Sequence, residues 1–383
     1  MARNGTLMLL ATLFWIIAAT WLIVVVASAT GIALLPSLPA LTTPVDRASV
    51  SVIIPVKDES ASVQTTADRL RQQQDVDLET IFVNDRSADG TGAILDRLSD
   101  RDANIRVIHI ETLPDGWLGK CHALHVGTQQ ARGEWILFMD GDSWLSPGVI
   151  ARAVQAAQRE DADHLSLMPR QRQATLLGKV GMLILFMGIP DAMCKANRDK
   201  AGAGIGAFNL VRAEALASIG GHAALRMEVV DDYQMARVLF AAGKRSRGYF
   251  AGLDVQTDLA RTAGGVVRAI EKNAFSLIRY NLWFVAAFAV GLPFLFAGAV
   301  AGPIVGGVSG LAAGVSLVCM AIPGSMLARR YEWPLLAGLL APLGILMVAV
   351  GGANSVIKTI ARGGVCWRGD FYRLADLRKH MVR

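Results

Sequence analysis

The sequence predicts an α/β domain built on a mostly parallel sheet and joined to transmembrane helices. Three observations predict it. The 383 residues are 53% hydrophobic and 18% charged, more apolar than an ordinary soluble enzyme. The apolar excess is uneven, because no charged residue occurs from Asn4 to Val45, from Tyr280 to Ala328, or from Trp333 to Ile357. Between about 46 and 279, short apolar runs alternate with helical patterns, which is how a parallel sheet covered by helices reads.

Residues 1–45 are assigned to an N-terminal anchor. Leu7 to Ala29 is uncharged and long enough to cross about 30 Å of hydrocarbon as a helix. It is too long for the apolar core of a cleaved signal peptide, and only Arg3 precedes it. Residues 46–280 form the α/β domain. Its strand candidates are Val50–Val56, Thr80–Asn84, Arg106–Ile110 and Trp135–Met139, with helix candidates near 60–73, 90–100, 120–131 and 147–159 between and after them. Ligands bind at the carboxyl ends of such strands, and polar residues follow three of the runs: Lys57-Asp58-Glu59, Asp85, and Asp140-Gly141-Asp142. The apolar stretch near 174–193 has an uninterrupted core, Val180 to Pro190, too short to span. It reads as an interfacial helix with Lys179 at the boundary. The segment 259–281 is assigned to the bilayer surface as well. Residues 281–357 hold about three transmembrane helices, with a break expected at Gly302-Pro303, and their glycines and alanines favour close helix contact.

Residues 358–383 form a basic tail. Its charge favours the cytosol, yet one span before a cytosolic domain and three after it place the tail outside. Either one late segment is re-entrant or the tail is an exception. The net charge of +6 lies largely beside apolar spans, with no basic stripe interleaved with aromatics, so an anionic membrane surface is the expected partner and nucleic acid is not. Cys121, Cys194, Cys319 and Cys366 are widely separated, against a disulfide framework and in keeping with a reducing compartment.

Five motifs carry chemistry. Phe138-Met139-Asp140-Gly141-Asp142 ends an apolar strand in two carboxylates one residue apart, a pattern suited to Mg²⁺ or Mn²⁺ beside a diphosphate. Taken alone, a D-x-D is often a solvated turn. Ile81 to Thr91 ends a strand at Asp85, with Ser87 or Asp89 placed to cap the next helix. Ser51 to Glu59 runs a buried strand into a proline turn with charges past its end. Gly116-Trp117-Leu118-Gly119-Lys120 opens a helix with a lysine at a phosphate-binding position. Asp231-Asp232 is a carboxylate pair far from the D-x-D in sequence, available as a base toward a hydroxyl or as acids favouring a helix dipole.

In this order and spacing the five motifs resemble inverting glycosyltransferases of family 2 with the GT-A (Rossmann-like) fold, over about residues 50–280. The resemblance implies that Pro55 and Glu59 bind the nucleoside. Asp85 holds base and ribose, with Asn84 standing where the family usually has a first Asp. Lys120 lies by the nucleotide, and Asp140 and Asp142 hold the metal, Asp140 beside the donor. Asp231-Asp232 matches the base motif, pointing to Asp232, although Asp231 replaces the usual Glu. Ala203–Val211 and Ile219-Gly220-Gly221 resemble the acceptor-side segment. The Q-x-x-R-W motif of processive synthases is replaced by Gly264 to Asn273, so a single transfer is expected rather than polymerisation. The G-W-x-G-K motif, the aspartate pair and Cys366-Trp367-Arg368-Gly369 resemble hopanoid- and carotenoid-associated members. They imply a UDP- or GDP-sugar donor, a lipid acceptor and a bacterial inner membrane with the domain in the cytoplasm. A polyprenyl-phosphate glycosyltransferase is the alternative, a polysaccharide synthase a more distant one. A transporter is disfavoured because the spans lack the ionisable residues that transport sites need.

Overall fold

The computed structural model describes residues 2–41, 47–277 and 279–382. The expected boundary at 45/46 falls in 42–46, outside the described residues. The chain divides into two compact units, one of Leu35–Arg172, Ala192–Asp258 and the C-terminal segment from Gly363, the other of the first 34 residues, Gln173–Asp191 and Leu259–Arg362.

The first unit is built on an eight-stranded mixed sheet in the order β3-β2-β1-β4-β7-β6-β8-β5. The strands are β1 Ser49–Val56, β2 Asp77–Asp85, β3 Ile105–Ile110, β4 Trp135–Phe138, β5 Ser143–Leu145, β6 His164–Gln171, β7 Asn209–Arg212 and β8 Ser246–Thr257. The four strands read from the sequence are mutually parallel. All but the first residue of β1 is buried, as expected of a central strand covered on both faces. Val52, Ile54, Phe82 and Leu137 pack into one core layer, and Ile53, Ile81, Val83 and Ile136 into the other. The intervening helices Val63–Arg71 and Thr91–Ser99 lie within the expected spans, Gly119–Gln130 begins one residue before its span, and Val149–Arg159 follows.

The remaining strands extend the sheet through antiparallel β4–β7 and β7–β6 pairs. His164 ties the join. Its Nε2 lies 2.5 Å from Asn209 Oδ1 on β7 and its Nδ1 2.8 Å from Ser246 Oγ on β8. Burial lowers its pKa to about 4, against the Asn209 bond that opposes it, so the ring is held neutral. The segment leaving the first helix docks on β8, Leu38 N–H donating to Phe250 O and Phe250 N–H to Pro36 O. A two-stranded hairpin, β9 Gly364–Trp367 and β10 Asp370–Arg373, closes this unit.

The second unit is helical. Its N-terminal helix Ala2–Leu34 buries Phe14, Ile17, Trp21 and Val25 against Ala299, Ala313, Leu317 and Ile345. Arg330 donates to the Ile32 carbonyl near the end of that helix at 2.8 Å. Among the described residues, Gly5–Leu34, Leu176–Ala196, Gly307–Arg330 and Ala341–Arg362 are long and apolar enough to cross a membrane. The expected break at Gly302-Pro303 is displaced. Pro303 lies inside helix Leu282–Val305, and the chain turns at Gly306-Gly307, where Gly307 has φ +54°, a conformation open to glycine. Gly302 and Gly310 pack so closely that a Cβ on Gly310 would collide with the Gly302 carbonyl, the close approach that small residues permit.

Candidate active site

The strand order reverses between β1 and β4, the position where open α/β sheets receive ligands. Their ladder ends at the Ile53–Phe138 pair. Beyond it Pro55 and Met139 line a cleft with Lys120, Asp140, Gly206, Asp231 and Asp232.

Lys120 lies among the acids. Its ammonium is 2.9 Å from Asp140 Oδ1 and 3.1 Å from Asp231 Oδ1. Burial alone would lower its pKa, but Asp140, Asp231 and Asp232 raise it well above the usual value. Asp231 and Asp232 open the helix Asp231–Ala241, where its dipole favours carboxylates. Asp232 Oδ2 accepts from Gly206 N–H at 2.5 Å, and Oδ1 accepts from its neighbour Tyr233 N–H at 2.8 Å. Burial, then the adjacent Asp231, pushes the Asp232 carboxyl up to about 6, with Lys120 opposing. Gly206 makes this convergence possible. A Cβ there would sit 2.7 Å from Asp140 Oδ2 and 3.3 Å from Asp232 Oδ2.

Asp142 follows Gly141, whose carbonyl accepts from Thr66 Oγ1 at 2.9 Å. Thr257 Oγ1 donates to Asp142 Oδ1 at 3.3 Å. Burial raises the Asp142 carboxyl, and Asp140 and Glu59 raise it further. Two carboxylates that repel each other in a partly desolvated setting form an oxygen donor set that a hard divalent cation relieves. Among the described residues no group of three or more His, Cys, Asp or Glu is gathered to hold a metal by itself.

The nucleoside candidates lie on the neighbouring rim. Asp85 is buried at the end of β2 and accepts from Arg86 Nε at 2.7 Å. It abuts Gly119, where an added Cβ would strike Asp85 Oδ2; Asp85 is thus packed against the start of the helix that carries Lys120. Glu59 N–H donates to Thr91 Oγ1 at 2.9 Å, and the turns after β1 and β2 are laced by Asp58 N–H to Ser87 Oγ and Ser60 N–H to Asp89 Oδ2. Asn84, standing where a first Asp was expected, is buried. Its Nδ2 lies 2.9 Å from His109 Nδ1 and its Oδ1 accepts from Ser87 N–H, which is a local structural task. Sequence reasoning singled out the segments Ala203–Val211 and Cys366 to Gly369 but gave no role to Gly206, Arg368 or Asp370. Gly206 carried a signal, since Ala203–Val211 places two glycines, Gly204 and Gly206, on either side of Ile205, a pattern that no regular strand requires. The hairpin's contacts carried none.

A GT-A-type domain is what this fold and cleft define. Residues 51–220, less than half of the chain, match the model of glycosyl transferase family 2. The uncharacterized glycosyltransferase EpsJ of Bacillus subtilis is 35% identical over 114 residues, 30% of this chain and 32% of that protein. An undecaprenyl-phosphate 4-deoxy-4-formamido-L-arabinose transferase of Aeromonas hydrophila is 28% identical over 147 residues, 37% of this chain and 44% of that protein. The alignments thus span less than half of either relative. Among solved structures, a mannosyltransferase of Pyrobaculum calidifontis in complex with GDP-Man and Mn²⁺ matches with a TM-score of 0.51 at 19% identity, over 91% of this chain and 96% of that one. This likeness shows the shared fold.

Proposed function

We propose that this protein is an inverting glycosyltransferase that moves a sugar from a UDP- or GDP-sugar to a membrane lipid of the hopanoid or carotenoid type. The observation that carries the reading is the gathering of Asp140, Asp231 and Asp232 around Lys120 where β1 and β4 part. Pro55, Glu59 and Asp85 receive the nucleoside. Asp140 and Asp142 would hold Mg²⁺ or Mn²⁺, which when bound neutralises charge on the departing nucleoside diphosphate. Lys120 adds a fixed positive charge beside the same group. Asp232 takes the proton of the attacking hydroxyl. Its raised pKa makes it a stronger base while leaving it ionised at neutral pH. Two backbone N–H donors fix its orientation, and Asp231 is tied to Lys120.

Membrane placement is supported by chain topology. β6 and β7 pair directly although Leu176–Ala196 lies between them in sequence, so that helix enters and leaves on one side of a bilayer, as an interfacial or re-entrant segment does. The C-terminal hairpin bonds to the sheet-bearing unit, so the chain crosses an even number of times between Asp258 and Gly363. A re-entrant late segment then reconciles the basic tail with a cytoplasmic domain at the inner membrane. The helix near 174–193 and the segment 259–281 present the lipid.

A polyprenyl-phosphate acceptor is the second reading, favoured by the name of the Aeromonas relative. Such an acceptor is already anionic and needs little base assistance, so an active Asp232→Asn variant would select it. Purified protein incubated with a panel of nucleotide-sugars and a lipid extract, with products read by mass spectrometry, tests the proposal. A glycolipid that appears only with a divalent metal is expected; the absence of any glycosylated lipid would refute it.

A further inference from the structure

The C-terminal hairpin lies on the rim assigned to the donor. Asp370 accepts from the Arg86 guanidinium through both oxygens, Nη1 to Oδ1 at 3.0 Å and Nη2 to Oδ2 at 2.8 Å, and from Lys57 Nζ at 2.9 Å. Arg86 in turn holds Asp85. Arg368 donates to Glu59 Oε1 at 2.8 Å and to the Lys57 carbonyl at 2.9 Å. Tyr372 is buried, and its hydroxyl accepts from Gly119 N–H at 3.1 Å. The hairpin therefore touches the turn after β1, the turn after β2 and the first residue of the helix bearing Lys120. Each of the two acids read as nucleoside ligands is paired with an arginine that also bonds elsewhere: Arg86 belongs to the rim and reaches the hairpin, Arg368 belongs to the hairpin and reaches the rim.

We infer that the hairpin Gly364–Arg373 is a clamp that sets the nucleoside pocket, with Asp370 and Arg368 as positioning residues for Asp85 and Glu59; this rests on the donor reading above. Asp370 draws the Arg86 fork away from solvent and fixes its planar geometry. The same fork then meets Asp85 with Nε and Nη2, leaving that carboxylate one orientation. Without Asp370 the Arg86 side chain loses its second carboxylate partner and is freer to swing, taking Asp85 with it. Without Arg368, the Glu59 carboxylate keeps the local bond from Ser62 Oγ at 3.1 Å. The pairs are half-buried, enough for geometry to matter more than net attraction.

The test uses the full chain in detergent micelles and isothermal titration with UDP and GDP in MnCl₂, together with donor and acceptor kinetics. Asp370→Asn and, independently, Arg368→Gln are expected to weaken nucleoside diphosphate binding roughly tenfold, since each removes a charge-assisted hydrogen bond. Donor KM rises to match, while kcat and acceptor KM stay within twofold, and Asp370→Glu recovers part of the loss. Wild-type affinity in both folded variants, or tighter binding, overturns the clamp and leaves the donor reading standing. Binding of neither nucleotide by the wild-type protein overturns both. Should Asp370→Asn fail to fold, Arg368→Gln alone decides, because its partner is the carboxylate of Glu59 and not the Arg86 fork.

Discussion

Gly206→Ala separates geometry from charge, because it adds one methyl group and alters no ionisable residue. The added Cβ would lie 2.7 Å from Asp140 Oδ2 and 3.3 Å from Asp232 Oδ2. Ordinary contact begins near 3.4 Å, so the Asp140 carboxylate must retreat by about 0.7 Å or rotate away from Lys120. Gly206 has no positive φ, and the clash is with the end of a side chain, so the backbone tolerates alanine and the stability cost stays about 1 kcal/mol, in the range of ordinary substitutions. A misplacement near 1 Å costs roughly a hundredfold in rate where reacting groups must be aligned. Transfer by Gly206→Ala is therefore expected to fall about 30- to 100-fold in kcat, with a thermal transition within a few degrees of wild type. The assay is initial-rate product formation beside a thermal melt of the same preparation. A folded Gly206→Ala protein with wild-type kcat would refute the claim that Asp140 and Asp232 act at one point.

Replacing Asp142 by Ala is expected to abolish transfer while leaving the domain folded, and full activity of that variant with metal present would count against the metal assignment. With Asp232 as base and its carboxyl near 6, kcat should rise as pH increases through about 6 and level off above it, because only the ionised form accepts a proton; a rate that falls over this range contradicts the role. His164 is held neutral with a pKa near 4 in the folded chain, against about 6.5 unfolded. Its contribution to stability is complete above 6.5 and shrinks as pH falls toward 4, by up to about 3 kcal/mol. The thermal stability gap between wild type and His164→Asn should accordingly narrow between pH 7 and 4.5, and a gap that widens would exclude this linkage.

Half of the sheet was legible because its strands announce themselves. β1, β2 and β4 are apolar runs that end at acids, and β3 is a short run bounded by turns, so parallel pairing and a rim of carboxylates follow from periodicity and position alone. The other half was not. β5 has three residues and β7 four, β6 mixes buried His164, Ser166 and Gln171 with Pro169 and Arg170, and β8 is interrupted by Gly248 and Gly252. Their pairing is set by long-range contacts such as the His164–Asn209–Ser246 bonds, which leave no local period. The site divides the same way. Asp140, Asp142 and Lys120 stand out beside their strands, and the Asp231-Asp232 pair stands out as a doublet. The Lys57–Asp370 contact spans 313 residues, and nothing near either residue points to the other. Gly206 stands in a visible glycine pattern, but its role becomes visible only once two carboxylates are seen flanking it.

The central claim is that one hydroxyl, deprotonated at Asp232, displaces the nucleotide in a single step. The anomeric configuration of the lipid glycoside, read by NMR on product from the wild-type protein and compared with that of the donor sugar, tests it most directly. Inversion, with product lost in a folded Asp232→Asn variant, is the expected result. A glycoside that keeps the donor's configuration would contradict the claim.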